Sequence, residues 1–186
     1  MKDMERSLSR TEWREAATGG LYAGLAYALL TIAAHAGRSM PGLVTTLNAV
    51  SFFSFAGFLY FYARRMAAYA GGDGFSYGRS LLFVLKMSLF AGVLAGVGQF
   101  VLVNWIDPEG FREQFDLMVA NMAGGGMGEK EAEMAGSLGL KLMRNPLFAV
   151  FSGIFSMLIY GGLLGLLISI FVRRPADPFG GGTSAE

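Results

Sequence analysis

The sequence predicts an all-α, polytopic membrane protein: four transmembrane helices in two antiparallel hairpins, with a short extracytoplasmic pair of amphipathic helices between the third and fourth. Three observations carry this. Of 186 residues, 53% are hydrophobic and only 16% are charged, against roughly 25% charged in soluble domains. The apolar residues gather in four windows of spanning length, about 20 residues being enough to cover the hydrocarbon core. Lys and Arg lie mostly outside alternate windows. Were these four windows the buried helices of a soluble protein, too little polar chain would remain to cover them.

The chain opens with a basic segment, residues 1–15, holding Lys2, Arg6, Arg10 and Arg14. The first span follows at 16–36. Basic residues, an apolar run and Ala34-His35-Ala36 imitate a secretory signal with its cleavage site. The apolar run of about 20 residues exceeds the roughly 7–15 of a signal core, so the segment is expected to stay as a membrane helix. The second span is expected at 43–63, the third at 80–103 and the fourth at 147–172, all free of Pro, Asp and Glu, with Lys86 the one charge inside them. Arg64, Arg65 and Arg79 lie between spans two and three, and Arg173 and Arg174 follow span four. With the N-terminal four, these nine outnumber the five on the other side: Arg38, Arg112, Lys130, Lys141 and Arg144. Positive charge stays on the side of synthesis, so both termini are expected in the cytoplasm, in a bacterial inner membrane. Trp13, Tyr60, Tyr62 and Trp105 stand at span edges, where amphipathic rings favour the interface.

Between spans one and two the loop is short, which requires adjacent antiparallel helices. The loop before span three carries Gly71-Gly72-Asp73-Gly74. No Gly-Lys-Ser/Thr follows, so it reads as a turn rather than a nucleotide loop, with Ser76 capping the next helix. The insert at 104–146 is the one sizeable polar region. Asp107-Pro108 signals a helix start. Phe111, Phe115, Met118 and Met122 then recur at helical spacing and form a candidate partner-binding face. Glu109, Arg112 and Asp116 are spaced for ion pairs along another face. After Gly124-Gly125-Gly126 a second helix is expected from 129 to 143, with Met134, Leu138 and Leu142 on one stripe. The tail, 173–186, reads as disordered.

Several chemistries are excluded or disfavoured. The chain has no Cys, so disulfides, Fe–S clusters, thiolate zinc and Cys nucleophiles are excluded. Its single His leaves zinc without a ligand set. A net charge of +1 offers no field for nucleic acid. Inside the spans no acid stands near a His or Ser, so no catalytic residue, cofactor site or metal site is assigned and a non-enzymatic role is expected. Outside, Glu109 and Glu113, or Glu129 and Glu133, could meet a divalent cation, and the Met residues of the insert suit Cu(I); a solvated face and adaptable apolar contacts explain both more simply. The intramembrane polar candidates are Asn48, Lys86 and Gln99. With no carboxylate in any span a proton pathway lacks its partner, and the expected roles are interhelical hydrogen bonds and, for Lys86, extension toward the headgroups. Gly20 and Gly24, Gly92 and Gly96, and Gly161 and Gly165 each place two glycines on one helix face, which lets backbones approach closely in lipid. Whether those faces pack within the chain or against another copy is open at this point.

Gly71-Gly72-Asp73-Gly74-Phe75-Ser76-Tyr77-Gly78-Arg79 leading into span three, Ile106-Asp107-Pro108 with Phe111 after it, Asn145-Pro146 and the basic end of the last span together resemble the bacterial membrane family catalogued as domain of unknown function 4199. The resemblance runs from about residue 16 to residue 174. It implies four helices in a bacterial cytoplasmic membrane and supplies no activity, substrate or catalytic residue. The leading functional expectation is a membrane scaffold or interaction component acting through the amphipathic insert, with the bilayer, a second copy or a membrane protein as partner. The alternative is a small oligomeric transporter or channel subunit.

Overall fold

The computed structural model describes residues 2–71, 74–126 and 128–175. These form α1 (Lys2–Ala36), α2 (Pro41–Tyr69), α3 (Tyr77–Val101) continued by a π-helical turn (Leu102–Ile106), α4 (Pro108–Gly124), α5 (Glu129–Met143) and α6 (Pro146–Val172). Residues 176–186 of the expected disordered tail lie outside the described residues, as do residues 72, 73 and 127. Among the described residues, extended pairing is confined to a bridge in which the Phe75 and Arg174 backbones exchange two hydrogen bonds of 2.9 Å.

Four helical stretches are long and apolar enough to cross a membrane: Ser9–Ala36, Pro41–Tyr69, Tyr77–Ile106 and Pro146–Val172. At 1.5 Å per residue they measure roughly 40–45 Å, longer than the ~30 Å hydrocarbon core, so their ends project into the headgroup layers. Local chemistry sets where they start. Pro occupies the first turn of α2, α4 and α6, where its missing N–H costs nothing. Ser76 accepts from the Arg79 N–H at 3.3 Å, Asp107 from Gly110 at 3.1 Å and Asn145 from Leu147 at 2.9 Å; each satisfies a backbone donor that the first turn leaves free. The expected helix from 129 to 143 coincides with α5.

Helix α3 lies at the centre, packed most closely on α6 and then on α1, with α2 on the far side of α1; α2 and α6 close the remaining side more loosely. All three glycine pairs act within the chain. A Cβ on Gly24 would lie 2.7 Å from the Ala91 backbone, and one on Gly20 would collide with the Met87 carbonyl, so these two seat α1 on α3. A Cβ on Gly92 or Gly96 would lie 2.5 Å from backbone atoms of Ile154 or Ala149, so this pair seats α3 on α6. Farther along the same contact, Gly161 of α6 makes room for the Ser88 side chain and Gly165 for Leu81 and Val84. With no hydrophobic force between helices in lipid, such close approach supplies the association energy.

The core is built from Leu59, Met66, Phe83 and Met87, all fully buried. The outward faces carry Phe53, Phe61, Phe151, Phe155 and Phe171, all exposed, as a helix surrounded by acyl chains requires. Two local expectations change. Tyr60 is exposed, but Tyr62, expected at the interface, is 7% exposed and packs against Gly19 of α1. Among the described residues no ion pair forms between Glu109 and Arg112 or between Arg112 and Asp116; these side chains are solvated.

Candidate functional site

Polar side chains collect in three places. The first is the end of the long helices from which α4 and α5 emerge. There the last turn of α3 widens into a π turn, closed by the Asp107 N–H on the Leu102 carbonyl at 3.0 Å, and Asn104 covers the Phe100 carbonyl at 3.0 Å. The chain leaves the helix at Asp107. One carboxylate oxygen caps α4 through Gly110, and the other lies 2.7 Å from His35 Nε2 and also accepts from Arg38 Nη1. Phe111 stacks on the His35 ring, 5.4 Å between centroids and 13° between planes. A Cβ on Gly110 would crowd the Asp107 carboxylate and Arg38 Nη1, so glycine at this position leaves room for their pairing. Asp107 thus ties the start of α4 to the end of α1. Replacing it with Ala is expected to cost about 1–2 kcal/mol, as loss of a helix cap does, and to speed hydrogen exchange at amides 109–111; Asp107→Asn, which keeps the cap and loses the charge, is expected to preserve most of that protection.

The second cluster sits at the opposite end. Helix α1 extends backward past residue 16, and Glu12 and Glu15 lie on its inner face, 7% and 6% exposed. Glu12 takes Lys86 Nζ at 2.6 Å and Arg79 Nε at 3.4 Å. Glu15 lies 3.4 Å from Arg65. Trp13 covers Lys86 with its ring, 4.9 Å from the ammonium. Lys86 was expected to reach for headgroups; it is instead held by a carboxylate on α1, within the stretch Ser9–Ala36 that is apolar enough to cross. The signal was present in the sequence. Glu12, Glu15, Ala16, Gly19, Gly20, Ala23 and Gly24 follow one helical stripe, so the small-residue face of span one runs on into two acids.

The third place is a pair of open clefts between the helices nearer the α4–α5 end. Asn48 lines a cavity of about 260 Å³ with Tyr27, Thr31, Ser51 and Tyr160, and Gln99 lines one of about 180 Å³ with Ser152 and Ser156. Tyr27 and Met157 border both. Lys86 borders neither.

The insert forms a helix pair. Val119 fills the space at Gly136, and Phe115 meets Gly139, so the two glycines that weaken α5 as a helix are what let α4 approach it. Of the candidate face, Phe111 is occupied by His35 and Phe115 by α5, both half-buried; Met122 is half-buried and Met118 is exposed. The open apolar stripe is instead on α5, where Met134, Leu138 and Leu142 recur at every fourth residue and are 70%, 57% and 39% exposed; Leu117, 66% exposed, stands on the face of α4 turned away from α5. Among the described residues no three His, Asp or Glu side chains converge as a metal site.

The family model described as protein of unknown function (DUF4199) matches residues 18–174. The chain belongs to this family. Compared with curated proteins and with solved structures, it shows no significant match. The match to DUF4199 takes in Lys86, Arg79 and Arg65 but starts after Glu12 and Glu15, so the two acids are supplied from the segment preceding it.

Proposed function

We propose that this DUF4199 protein is a non-enzymatic component of the bacterial cytoplasmic membrane, with both termini in the cytoplasm, that binds another membrane protein or a second copy of itself through the extracytoplasmic α4–α5 pair. The observation that supports this reading is the exposed apolar stripe of Met134, Leu138 and Leu142 along α5, on the side turned away from α4. An exposed patch of this kind on a polar element marks an interaction surface. The orientation draws on the basic residues at the Glu12 end, Arg64, Arg65, Arg79, Arg173 and Arg174. A photo-crosslinking residue placed at Met134 or Leu138 in native membranes is expected to give a discrete intermolecular adduct. Intrachain and lipid adducts alone would overturn the reading, as would digestion of a terminal tag by protease added to intact cells.

A small oligomeric transporter or channel subunit is the second reading, favoured by the border that the Asn48 and Gln99 cavities share at Tyr27 and Met157. Lys86 weighs against a single conduit. It lies on α3 thirteen residues before Gln99, roughly 20 Å away along the helix, and is already paired with Glu12.

A further inference from the structure

We propose that the cavity between α1, α2 and α6 binds the head of a neutral membrane lipid, one whose hydrogen-bonding group is a carbonyl or hydroxyl rather than a phosphate. The ring headgroup of an isoprenoid quinone and the glycerol end of a diacylglycerol share this chemistry. The site belongs to the long helices and is independent of any partner of α4 and α5.

Four features of the cavity lead there. Ser51, 5% exposed, forms part of its wall, a side chain small enough to leave the space open. Polar groups border the same space, the amide of Asn48 and the phenols of Tyr27 and Tyr160, while Thr31 already donates to the Tyr27 carbonyl. No charged side chain lines the cavity. An ionised head would therefore meet nothing to offset its desolvation. Phe52 and Phe55 complete the wall with the two tyrosine rings; Phe55 is buried while Phe52 and Tyr160 are exposed, so the space is a cleft open to the surroundings whose aromatic faces suit a flat or apolar-edged head.

Depth separates neutral lipids from phospholipids. Asn48 lies seven residues into α2, and Met157 and Tyr160 lie eleven and fourteen residues into α6. At 1.5 Å per residue these positions are roughly 10–20 Å from the helix ends. With about 5–7 Å of each helix end projecting past a hydrocarbon core of ~30 Å, that places the cavity roughly 4–15 Å below the headgroup boundary, with Asn48 at its shallow edge. A phospholipid would have to draw its charge into the core to fill it; a neutral head carries no such penalty. The way in is lateral, because α2 and α6 close their side of the molecule more loosely than the other neighbouring pairs, and a tail left in the bilayer needs such an opening.

The test uses the full-length chain purified in detergent, with saturable binding read by native mass spectrometry and by thermal shift. The probes are a short-chain isoprenoid quinone, dioleoylglycerol and dioleoylphosphatidylglycerol. Saturable binding of the quinone, the diacylglycerol or both, at least tenfold tighter than the phospholipid, is expected, and the stronger of the two identifies the source. Ser51→Phe, which fills the space, is expected to abolish that binding with an unchanged melting point in the absence of lipid. Should Ser51→Phe fail to fold, Asn48→Leu, on the exposed edge of the cavity, is expected to weaken binding at least fivefold. Equal binding of all three probes, no saturable binding of either neutral lipid, or unchanged affinity in a folded variant would overturn the proposal.

Discussion

Glu12→Gln is expected to lower the stability of the detergent-solubilised protein by about 2–4 kcal/mol, the loss seen when one partner of a buried, hydrogen-bonded charge pair is removed. Glu12 is 7% exposed and serves two cations, Lys86 Nζ at 2.6 Å and Arg79 Nε at 3.4 Å. Without it Lys86, 28% exposed and beneath Trp13, loses the carboxylate that accepts its hydrogen bond. Removing both charges should therefore cost less than removing one. The double variant Glu12→Gln/Lys86→Gln is expected to recover at least half of the loss, and a thermal-denaturation cycle over the four proteins measures this as a coupling energy. Additive losses would mean that the pair is a surface contact screened by water, as most exposed ion pairs are, and that α1 is held to α3 by its glycines alone.

How far the sequence discloses this protein depends on whether the signal is local. The four apolar helices, the caps at Ser76 and Asp107 and the bounds of α5 follow from runs and short spacings, which one stretch of chain carries by itself. Pairings across helices do not. His35 and Asp107 are 72 residues apart and Glu12 and Lys86 are 74 apart, so each looked solitary: a lone His at a span end, a lone Lys inside a span. A window that began the first span where hydropathy rises, at residue 16, left Glu12 and Glu15 in a polar tail. Reading the small-residue stripe of α1 backward would have included them, because helical periodicity outlasts the apolar window. Phe115 shows the converse. Its place on an apolar stripe was legible, but Gly139, which accepts it, gave no sign beyond lowering helix propensity. A glycine marks a close approach without naming what approaches.

That ambiguity gives Gly92 the second large effect. Gly92→Leu is expected to destabilise the protein by about 1–3 kcal/mol or more, the range for overpacking a filled interior, and to raise the rate of proteolysis in the loops flanking α6. A Cβ there would lie 2.5 Å from Ile154 Cα and 3.0 Å from the Gly153 carbonyl, backbone atoms that cannot rotate away as a flexible side chain would. Helices α3 and α6 form the closest pair in the molecule, so the clash opens the contact on which the rest is assembled. Gly57→Leu is the control. It lies within the membrane stretch of α2, and an added Cβ meets nothing within 4 Å, so its expected cost is confined to side-chain fit with lipid, within about 0.5 kcal/mol as for a surface change. If the two variants unfold alike, glycine acts here through backbone propensity and close packing is not what holds α3 to α6; if Gly92→Leu alone is impaired, the sites of helix approach within one chain account for the motif, with no second copy required.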